Sequence, residues 1–589
     1  MAPVNVFGIE KSLTGRRWVW RPSEERLGAG LAERLGVPEL IGRLLAARGV
    51  SSEHAPDFLD PTLRAMLPDP SCIVDMHKAA ERLAKAVQTQ ACIGVFGDYD
   101  VDGACGSALL VTVLQSLGCR VLYHVPDRIL EGYGPNTLAM RGLVDRGASL
   151  LVCVDCGTTA HDAFAPLHNR ADIMVLDHHK SDGLPPAIVA TVNPNRLDCN
   201  SGLTGICATA VVFMTCVALL RALRTDGFFA GRPVPNLLDL LDLVALATIC
   251  DVMPLTGLNR ALVVQGLRVM GKRARPGIAA LLDVAGLKNA PSAMHCGFAL
   301  GPRINAAGRI AEPDMGLRLL LSNDPEEARD LALKLDAVNK QRQQMEAGML
   351  AEAMAQASVQ VASGCPVILL AGDDWHPGVV GIVAGRVKER FNRPALVGAV
   401  AGGIVKGSGR SVAGLDLGAA VIRARQSGLL LTGGGHAMAA GFSLSASNLP
   451  AFHAILNERL AGANTLPPAE DLMLEGVLAV TGADAALAQM VARLGPFGNG
   501  NEEPVFVLPR ATVVKTDRIG KDGGTIRAMV AGENGGRIKA LLFRAREGKL
   551  AEALLRTGGT PLHLAGHLRA ESWNGQVSVG FFITDAAPA

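Results

Sequence analysis

The chain has 589 residues, of which 49% are hydrophobic and 19% charged, and its formal net charge is only +2. This composition excludes a disordered chain, and the length exceeds what one hydrophobic core supports, so we expect roughly three or four domains. The small net charge means that any nucleic-acid-binding surface must be local. Twelve scattered cysteines give no paired disulfide framework, which is typical of a cytoplasmic protein.

Two stretches bear on targeting. Residues 1–10 lack the basic start and apolar core of a signal peptide. Residues 202–220 carry no formal charge and are long enough to raise the question of a membrane span. Because this stretch contains glycines and threonines and lies between α/β segments, we predict a helix buried in a globular core and no membrane association.

The first half of the chain alternates strands and helices. Short helices are predicted at residues 24–35 and 38–48, and an amphipathic helix at residues 76–90 leads into the first strand. Apolar runs of strand length then recur at residues 92–96, 120–125, 150–154, 172–176 and 188–192. Strands that alternate with helices favour an α/β fold with a parallel sheet covered on both faces.

Three carboxylates alternate in Gly97-Asp-Tyr-Asp-Val-Asp-Gly103, between the first strand and a helix predicted at residues 104–117. The carboxyl ends of strands are where open α/β sheets bind ligands. Like charges this close repel each other unless a cation neutralises them, which favours a hard divalent metal with oxygen ligands. A solvated acidic turn is the alternative.

Acids and histidines follow two further strands: Asp155, then Asp177, His178 and His179. Because parallel strands end at the same edge of a sheet, these side chains should meet the first three carboxylates. One acid after a strand is often only a helix cap, but three such strand ends are harder to explain in that way. Asp251, after the apolar residues 243–250, is a fourth candidate, with a cap or turn residue as the alternative.

Carboxylates mixed with imidazole suit Mn²⁺ or Mg²⁺ and, less often, iron or zinc. Cys153 and Cys156 form a C-x-x-C without a second pair nearby, so we interpret both as packing residues. The period of a strand would place Cys153 on the same face as Asp155. With no serine or cysteine nucleophile motif, the chemistry that fits is hydrolysis at phosphorus. Two metal ions about 3.5–4 Å apart would activate the water and stabilise the leaving oxygen.

A long helix is predicted from residue 325 to residue 360, because Asp324-Pro-Glu-Glu327 is a helix start and apolar residues recur at helical spacing. It is either a connector between two lobes or an ordinary core helix. A strand at residues 367–370 then opens a second lobe with three glycine-rich turns, at residues 376–378, 407–411 and 432–436. Together these turns indicate an anion pocket, although most glycine-rich turns are only turns.

Residues 472 to about 582 are strand-rich, and Asn574-Gly575 between β-type runs predicts a hairpin. Phe543 and Trp573 are candidates for stacking on bases. The stretch also carries a basic cluster, for which a solvated barrel face is the alternative to a binding surface. Its members are Arg510, Lys515, Arg518, Lys521, Arg527, Arg537, Lys539, Arg544, Arg546 and Lys549.

Four motifs together resemble those of the DHH phosphoesterase superfamily: residues 97–103, Val154-Asp-Cys-Gly157, Asp177-His-His179 and Asp251-Val-Met-Pro-Leu255. Four further segments are similar to those of the single-stranded-DNA-specific exonucleases in that superfamily: residues 131–134, 301–309, 375–381 and 495–501. The resemblance runs from about residue 18 to the C-terminus. Cys250 stands where the family is expected to have a small or apolar residue.

The resemblance implies a parallel-sheet DHH domain and a smaller α/β DHHA1 domain joined by a long helix, plus a C-terminal all-β OB-type barrel. The implied boundaries are an N-terminal segment packing on the core at 1–75, the DHH domain at 76–323, the connecting helix at 324–362, the DHHA1 domain at 363–465 and the OB fold at 466–589.

The resemblance also implies roles for individual residues. The ligands of one metal would be Asp98 and Asp100, and those of the other would be Asp102, His178 and Asp251. Asp155 would bridge the two ions, His179 would face the scissile phosphate, and Asp177 would orient a histidine. The contacts to the substrate's 5′ phosphate and backbone would be Arg303, Asn305, Arg309, Ser408, Arg410, Ser411, Gly434, Gly435 and His436.

The activity implied is a metal-dependent 5′-to-3′ exonuclease that degrades single-stranded DNA with a 5′ phosphate to mononucleotides, in DNA repair and recombination. A monomer is expected, with a single-stranded-DNA-binding protein and a RecQ-type helicase as partners. Two alternatives stay open. One is a DHH phosphodiesterase or pyrophosphatase acting on short oligonucleotides, cyclic dinucleotides or pyrophosphate, which would not need residues 472–589. The other is a non-enzymatic replication scaffold, against which the intact acids argue.

Overall fold

The computed structural model describes residues 5–181, 183–461, 471–520, 523–545, 547–573 and 576–589. Their contacts divide the chain into two units. One unit contains Met1–Leu67, Val252–Gln265 and Pro467–Ala589, and the other contains Pro68–Asp251 and Gly266–Leu466. The N-terminal residues therefore belong with the C-terminal ones.

The described N-terminal residues, from residue 5 onwards, form one short strand and four helices: β1 (Trp18–Trp20), α1 (Glu25–Leu35), α2 (Glu39–Ala47), α3 (Ala55–Leu59) and α4 (Leu63–Met66). The helices predicted at residues 24–35 and 38–48 are confirmed as α1 and α2. Leu31 of α1 and Leu44 of α2 are fully buried in the same hydrophobic core as the C-terminal strands. The N-terminal helices and the C-terminal strands thus share one core.

Five parallel strands form the central sheet of the other unit: β2 (Ile93–Gly97), β3 (Val121–His124), β4 (Leu150–Val154), β5 (Asp172–Leu176) and β6 (Ala190–Val192). Their order across the sheet is β3–β2–β4–β5–β6. The predicted strands β4 and β5 have the expected bounds, and the others differ by one or two residues at an end. The predicted parallel sheet is confirmed.

Helices cover both faces of this sheet: α5 (Met76–Gln88), α6 (Val101–Ser116), α7 (Thr137–Asp145), α8 (His161–Phe164) and α9 (Ala208–Thr225). Leu143 of α7 and Phe164 of α8 pack with Cys153 on one face. On the other face, a Cβ atom at Gly106 of α6 would lie 2.7 Å from Val154 Cγ1. Alternating residues of β4 therefore contact opposite helical layers, as expected for a buried strand.

Among the described residues, one helix, α9, is long and apolar enough to cross a membrane, and 67% of it is buried in the structure. It packs against α5 and α6. The predicted core helix is therefore confirmed. It begins at residue 208 and not at residue 202, because residues 202–207 form turns.

Six helices follow: α10 (Leu241–Cys250), α11 (Gly257–Gly271), α12 (Pro276–Val284), α13 (Ala293–His295), α14 (Gly301–Ile310) and α15 (Met315–Leu321). A π-helical turn, Cys296–Leu300, leads into α14. Short 3₁₀ helices lie at Pro70–Cys72, Ala165–Leu167, Leu237–Leu240, Ala446–Asn448 and Val480–Gly482.

The long helix predicted from residue 325 is confirmed as α16 (Pro325–Ala362). Asp324 caps it, accepting a hydrogen bond from the N–H of Glu326 (3.0 Å).

A second sheet follows, with strands β7 (Ile368–Gly372), β8 (Ala395–Ala401), β9 (Ile404–Arg410), β10 (Thr432–His436) and β11 (Ala439–Ser445). Their order is β10–β11–β9–β8–β7, with helices α17 (Val380–Phe391), α18 (Leu417–Gln426) and α19 (Leu449–Arg459).

Two of the three predicted glycine-rich turns are wrong. Residues 376–378 do form a turn, but residues 407–411 lie on and just after β9, and residues 432–436 form β10. Glycine is depleted in strands, so the sequence favoured turns. In the sheet, the ring of Phe442 lies directly over Gly407, where a Cβ atom would be 2.1 Å from Phe442 Cζ. The glycine makes room for an aromatic side chain.

The C-terminal residues form a closed five-stranded barrel from β14 (Phe506–Ile519), β15 (Thr525–Gly532), β16 (Gly535–Leu542), β17 (Leu562–Trp573) and β18 (Gln576–Pro588). Short elements flank it: β12 (Leu472–Leu474), β13 (Gly476–Val477), α20 (Ala485–Ala492) and α21 (Lys549–Leu555). Strands β17 and β18 pair antiparallel, with Trp573 opposite Gln576. The predicted turn residues Asn574 and Gly575 lie outside the described residues, as do Lys521, Arg546 and the side chain of Trp573.

We expect Gly407→Ala to destabilise the protein by about 1–3 kcal/mol, because the new methyl group must displace the Phe442 ring in a packed sheet. Gly441→Ala is the matched control, since its Cβ would come no closer than 4.0 Å to its nearest neighbour, Gly407 O. Urea unfolding of both variants measures the difference. Equal midpoints for the two variants would contradict this account of the glycine.

Candidate active site

The loop after β2 carries the first three carboxylates. Asp100 caps helix α6, because its Oδ1 accepts hydrogen bonds from the N–H groups of Asp102 (2.9 Å) and Gly103 (3.1 Å). Glycine is required at position 103, where a Cβ atom would lie 2.4 Å from the carbonyl oxygen of Asp98. The helix N-terminus therefore stabilises one of three neighbouring anions.

Asp102 lies in the first turn of α6 and is buried. Its carboxylate accepts hydrogen bonds from the N–H groups of Ala208 (2.7 Å) and Thr209 (2.8 Å) and from Thr209 Oγ1 (2.6 Å). These donors form the N-terminus of α9. The carboxylate is therefore oriented by two helices at once.

Asp177, directly after β5, organises the two histidines that follow it. Its carboxylate accepts hydrogen bonds from the N–H of His178 (2.7 Å), from Thr158 Oγ1 (2.7 Å) and from His179 Nδ1 (2.8 Å). Burial disfavours the charged forms of Asp177 and His179, but the hydrogen bond between them, their opposite charges and the neighbouring hydrogen bonds and charges together outweigh burial. The pKa of Asp177 accordingly lies below its ordinary value, and the pKa of His179 is raised to about 9.

His178 lies where the motifs converge. Its Nε2 is 3.4 Å from Asp155 Oδ1, 3.4 Å from Asp251 Oδ2 and 3.7 Å from Asp102 Oδ2. Three groups have potential ligand atoms within 4.8 Å of one another: Asp98, Asp100 and Asp155; Asp102, His178 and Asp251; and Asp155, His178 and His179. The four motifs therefore form one cluster at the carboxyl edge of the sheet.

Several carboxylate oxygens in this cluster are buried and accept no hydrogen bond from the described residues: Asp98 Oδ1, Asp155 Oδ1 and Asp251 Oδ2. Burial and the neighbouring carboxylates raise the pKa of Asp98 and of Asp251 to about 8, and they also raise the pKa of Asp100 and of Asp155. Divalent cations with oxygen and nitrogen ligands would satisfy these oxygens and offset the repulsion. The residues therefore fit Mn²⁺ or Mg²⁺.

Reasoning from strand ends placed most of this cluster correctly. Asp251 is different, because it ends helix α10 and not a strand, which an apolar run of eight residues does not reveal. Cys153 and Cys156 are fully buried, and both pack in the apolar cluster behind the sheet, as predicted. Cys153 and Asp155 are expected on one face of a strand, but this strand geometry does not reach Asp155. Strand β4 ends at Val154, and Asp155 has a φ of +63°.

Sequence reasoning missed several residues that hold the cluster. Tyr133 Oη lies 3.3 Å from the carbonyl oxygen of Asp155 and 3.2 Å from His179 Nδ1. Asn193 Nδ2 donates to Thr158 Oγ1 (2.8 Å) and to the carbonyl oxygen of His179 (2.8 Å). Asn193 directly follows β6, so the same strand-end rule would have found it.

A group of arginines lines two neighbouring cavities of about 170 and 500 Å³. Arg128 and Arg309 line both cavities, and Arg410 lines the larger one. Burial and the charges of Arg128, Arg342 and Arg410 lower the pKa of Arg309 to about 10. Arg410 Nη1 donates to Ser408 Oγ (2.9 Å). Arg309 and Arg410 are partly buried and Arg128 is exposed, and cations that converge on one cavity are what an anion-binding site requires.

The other predicted substrate contacts have different surroundings. Arg303 pairs with Asp336 (2.9 Å), and Asn305 Oδ1 accepts a hydrogen bond from the N–H of Val101 (3.1 Å). Ser411 is buried, and its Oγ donates to the carbonyl oxygen of Leu415 (2.9 Å). Gly434, Gly435 and His436 lie on β10. The structure therefore brings Arg309, Ser408 and Arg410 towards one pocket and gives Arg303, Asn305 and Ser411 internal partners.

The fold and the cluster define a DHH-type domain with a candidate metal centre. Three protein-family models match the chain: the DHH family, N-terminal domain at residues 92–248, the DHHA1 domain at residues 357–462, and the RecJ OB domain at residues 474–585. These matches cover the parallel-sheet domain, the second sheet and the C-terminal barrel in turn.

Known proteins are similar over most of the chain. The single-stranded-DNA-specific exonuclease RecJ of Dickeya dadantii is 40% identical over 483 residues, which are 80% of this chain and 83% of that protein. The crystal structure of RecJ with Mn²⁺ from Thermus thermophilus aligns with a TM-score of 0.79 at 31% identity, over 97% of this chain and 79% of that one. RecJ with Mg²⁺ from the same organism aligns with a TM-score of 0.72 at 29% identity, over 97% of this chain and 78% of that one. The chain belongs to the RecJ family of exonucleases.

We expect Asp155→Asn to weaken Mn²⁺ binding by about tenfold or more, because it removes a charge from the centre of the ligand cluster. Asp172→Asn, an exposed acid at the other end of β5 that pairs with Arg82, is the control and should leave Mn²⁺ affinity unchanged. Calorimetric titration of metal-free protein with Mn²⁺ measures both. Unchanged affinity in Asp155→Asn would contradict the metal assignment.

Proposed function

We propose that this protein degrades single-stranded DNA from its 5′ end to mononucleotides, using two divalent metal ions, Mn²⁺ or Mg²⁺. The observation that carries the proposal is the cluster of buried carboxylates and histidines whose oxygens lack donors among the described residues. The RecJ relatives, named single-stranded-DNA-specific exonucleases, support the substrate class.

The proposed ligands divide into two groups that the cluster already suggests. Asp98 and Asp100 would hold one ion, Asp102, His178 and Asp251 would hold the other, and Asp155, which is close to members of both groups, would bridge them. When bound, two such ions activate a water molecule and stabilise the leaving oxygen of a phosphodiester.

The protein groups around the ions would orient the substrate. Asp177 holds the His179 ring through Nδ1, and Tyr133 contacts the same ring, so His179 has a defined direction. With its side chain half-exposed, His179 is accessible to a phosphate oxygen. We propose that it contacts the scissile phosphate and that Asp177 keeps it in place.

The arginine-lined pocket would give the reaction its direction. We propose that Arg309, Arg410 and Ser408 bind the terminal 5′ phosphate, because phosphate favours converging guanidinium groups. An anchor at a set distance from the metal centre selects a terminus, and a cleft too narrow for a duplex selects single strands. The proposed role is end processing in DNA repair and recombination, with a single-stranded-DNA-binding protein and a RecQ-type helicase as partners.

The C-terminal barrel would bind a further stretch of the same DNA strand. Phe543 is 55% exposed and stacks on Phe582, with Arg569 over the same ring at 4.8 Å. Several of the basic residues have acidic partners, as in the Arg527–Asp517 and Arg510–Glu533 pairs, so only part of the cluster is available to phosphates. We propose that exposed aromatic and basic side chains together hold the DNA.

We expect single-stranded DNA with a 5′ phosphate, labelled at either end and incubated with Mn²⁺, to release mononucleotides from the 5′ end. EDTA and a hairpin at that end should each block the reaction. Cleavage of dinucleotides or pyrophosphate alone would move the function to the small-substrate alternative. No hydrolysis of any of these substrates would favour the scaffold alternative.

Removing residues 472–589 is a poor test of the small-substrate alternative. The truncation would expose the core that α1 and α2 share with the barrel. Lost activity could then reflect either unfolding or the loss of a DNA-binding surface. Substrate competition in the intact chain separates the alternatives more cleanly.

We expect Arg410→Gln to raise the KM for 5′-phosphorylated DNA by about tenfold or more, because one charged hydrogen-bond donor to the phosphate is lost. The kcat should change little, and the preference for a 5′ phosphate over a 5′ hydroxyl should shrink. Arg423→Gln, on the exposed part of α18, is the matched control. A full 5′-phosphate preference in Arg410→Gln would contradict the anchor.

A further inference from the structure

The segment 495–501 has no part in the chemistry described so far, although its glycine-rich pattern stands out in the sequence. The N–H of Gly498 donates to the carbonyl oxygen of Asn501 (3.0 Å), and the N–H of Asn501 donates back to Gly498 (3.1 Å). These two bonds close a tight loop with Asn499 and Gly500 at its tip. Asn501 is buried, and its Nδ2 donates to the carbonyl oxygen of Leu494 (2.9 Å). These hydrogen bonds fix the positions of Asn499 and Gly500.

The tip of this loop holds the turn formed by residues 252–255, which lies in the same structural unit. Asn499 Nδ2 donates to the carbonyl oxygen of Val252 (2.8 Å), and the N–H of Leu255 donates to the carbonyl oxygen of Asn499 (2.7 Å). Gly500 has a φ of +71°, and a Cβ atom there would lie 3.0 Å from Pro254. One asparagine therefore binds both ends of the turn.

The turn begins with a strained residue. Val252 has a φ of +57°, a conformation that β-branched residues rarely adopt because the branched side chain crowds the backbone. Its side chain is 64% exposed, so burial does not compensate for the strain. Such strain persists only where surrounding contacts hold it, and it is concentrated at functional sites. The amide of Asn499 holds the carbonyl oxygen of Val252 itself, while Asn259 Nδ2 donates to the carbonyl oxygen of Pro254 (3.0 Å), two residues later in the same turn.

Val252 directly follows Asp251, a proposed metal ligand. Asp251 Oδ2 accepts no hydrogen bond from the described residues, whereas Asp100 and Asp102 are each oriented by backbone N–H groups. Besides the contact of Oδ2 with His178 Nε2 (3.4 Å), the direction of the Asp251 carboxylate follows from its own backbone. On the N-terminal side, the N–H of Asp251 donates to the carbonyl oxygen of Ala247 in α10 (2.9 Å). On the C-terminal side, Asp251 is followed by the turn that Asn499 holds.

We propose that Asn499 is a positioning residue that sets the direction of the Asp251 carboxylate by holding Val252 in its strained conformation. This inference rests on the proposed function, because it takes Asp251 to be a metal ligand. Loss of the amide lets the turn relax, and one of the two metal ions then loses a well-placed ligand.

The test uses the full-length protein and Mn²⁺, with the free ion followed by electron paramagnetic resonance. We expect the wild type to bind two ions and Asn499→Ala to bind one of them about tenfold more weakly. Asn448→Ala is the matched control, because it also removes an amide that donates to a carbonyl oxygen, Leu429 O at 3.2 Å, and should bind Mn²⁺ like the wild type. If Asn499→Ala does not fold, Asn499→Asp removes the donor with little change in size, and the same loss is expected.

A second measurement separates positioning from general stability. Glycine adopts positive φ without strain, so in a Val252→Gly background the same Asn499 substitution should weaken Mn²⁺ binding much less than it does in the wild type. Equal losses in both backgrounds, or wild-type affinity in both Asn499 variants, would overturn the inference. A wild-type protein that binds no Mn²⁺ would instead refute the proposed function.

Discussion

Mutual repulsion between buried carboxylates is the constraint on which the rest of this structure depends. Asp98, Asp155 and Asp251 each have an oxygen that is buried and receives no hydrogen bond from the described residues. Burial and their neighbours raise the pKa of these groups, so the protein on its own does not favour their charged forms. A fold that nevertheless assembles them at one sheet edge is organised for cations.

The carboxylates fall into two classes by how they are held. Asp100, Asp102 and Asp177 accept backbone N–H groups, several of them at helix N-termini, so the fold fixes their direction. The others are left with unsatisfied oxygens that are available to ligands. Rigid, hydrogen-bonded acids next to unsatisfied ones give a site that is shaped before any ion arrives.

Helix α14 links the metal cluster to the anion pocket. Asn305 accepts a hydrogen bond from the N–H of Val101, the first residue of α6, and one turn later Arg309 lines both cavities. Between them, Gly308 lies so close to Tyr99 that a Cβ atom would be 2.7 Å from the Tyr99 carbonyl oxygen. One helix thus sets the spacing between the proposed chemistry and the proposed anchor, which is the distance that selects a strand terminus.

Periodicity and strand-end reasoning predicted much of the fold and that most of the candidate ligands converge, because the carboxyl ends of parallel strands meet at one edge whatever the details of packing. The glycines of β9 predict a turn from sequence alone, because only the tertiary structure shows Phe442 lying over Gly407. The sequence also does not predict that Arg128 lines the same cavities as Arg309, or that Asn499 contacts Val252. Both features join residues far apart in sequence, and no local pattern encodes such a contact.

Anomalous scattering from crystals grown with Mn²⁺ tests the central claim most directly. The account predicts two manganese peaks, one among Asp98, Asp100 and Asp155 and the other among Asp102, His178 and Asp251, with Asp155 between them. A single peak, or manganese bound only outside this cluster, would contradict the claim that these buried carboxylates are arranged around two ions.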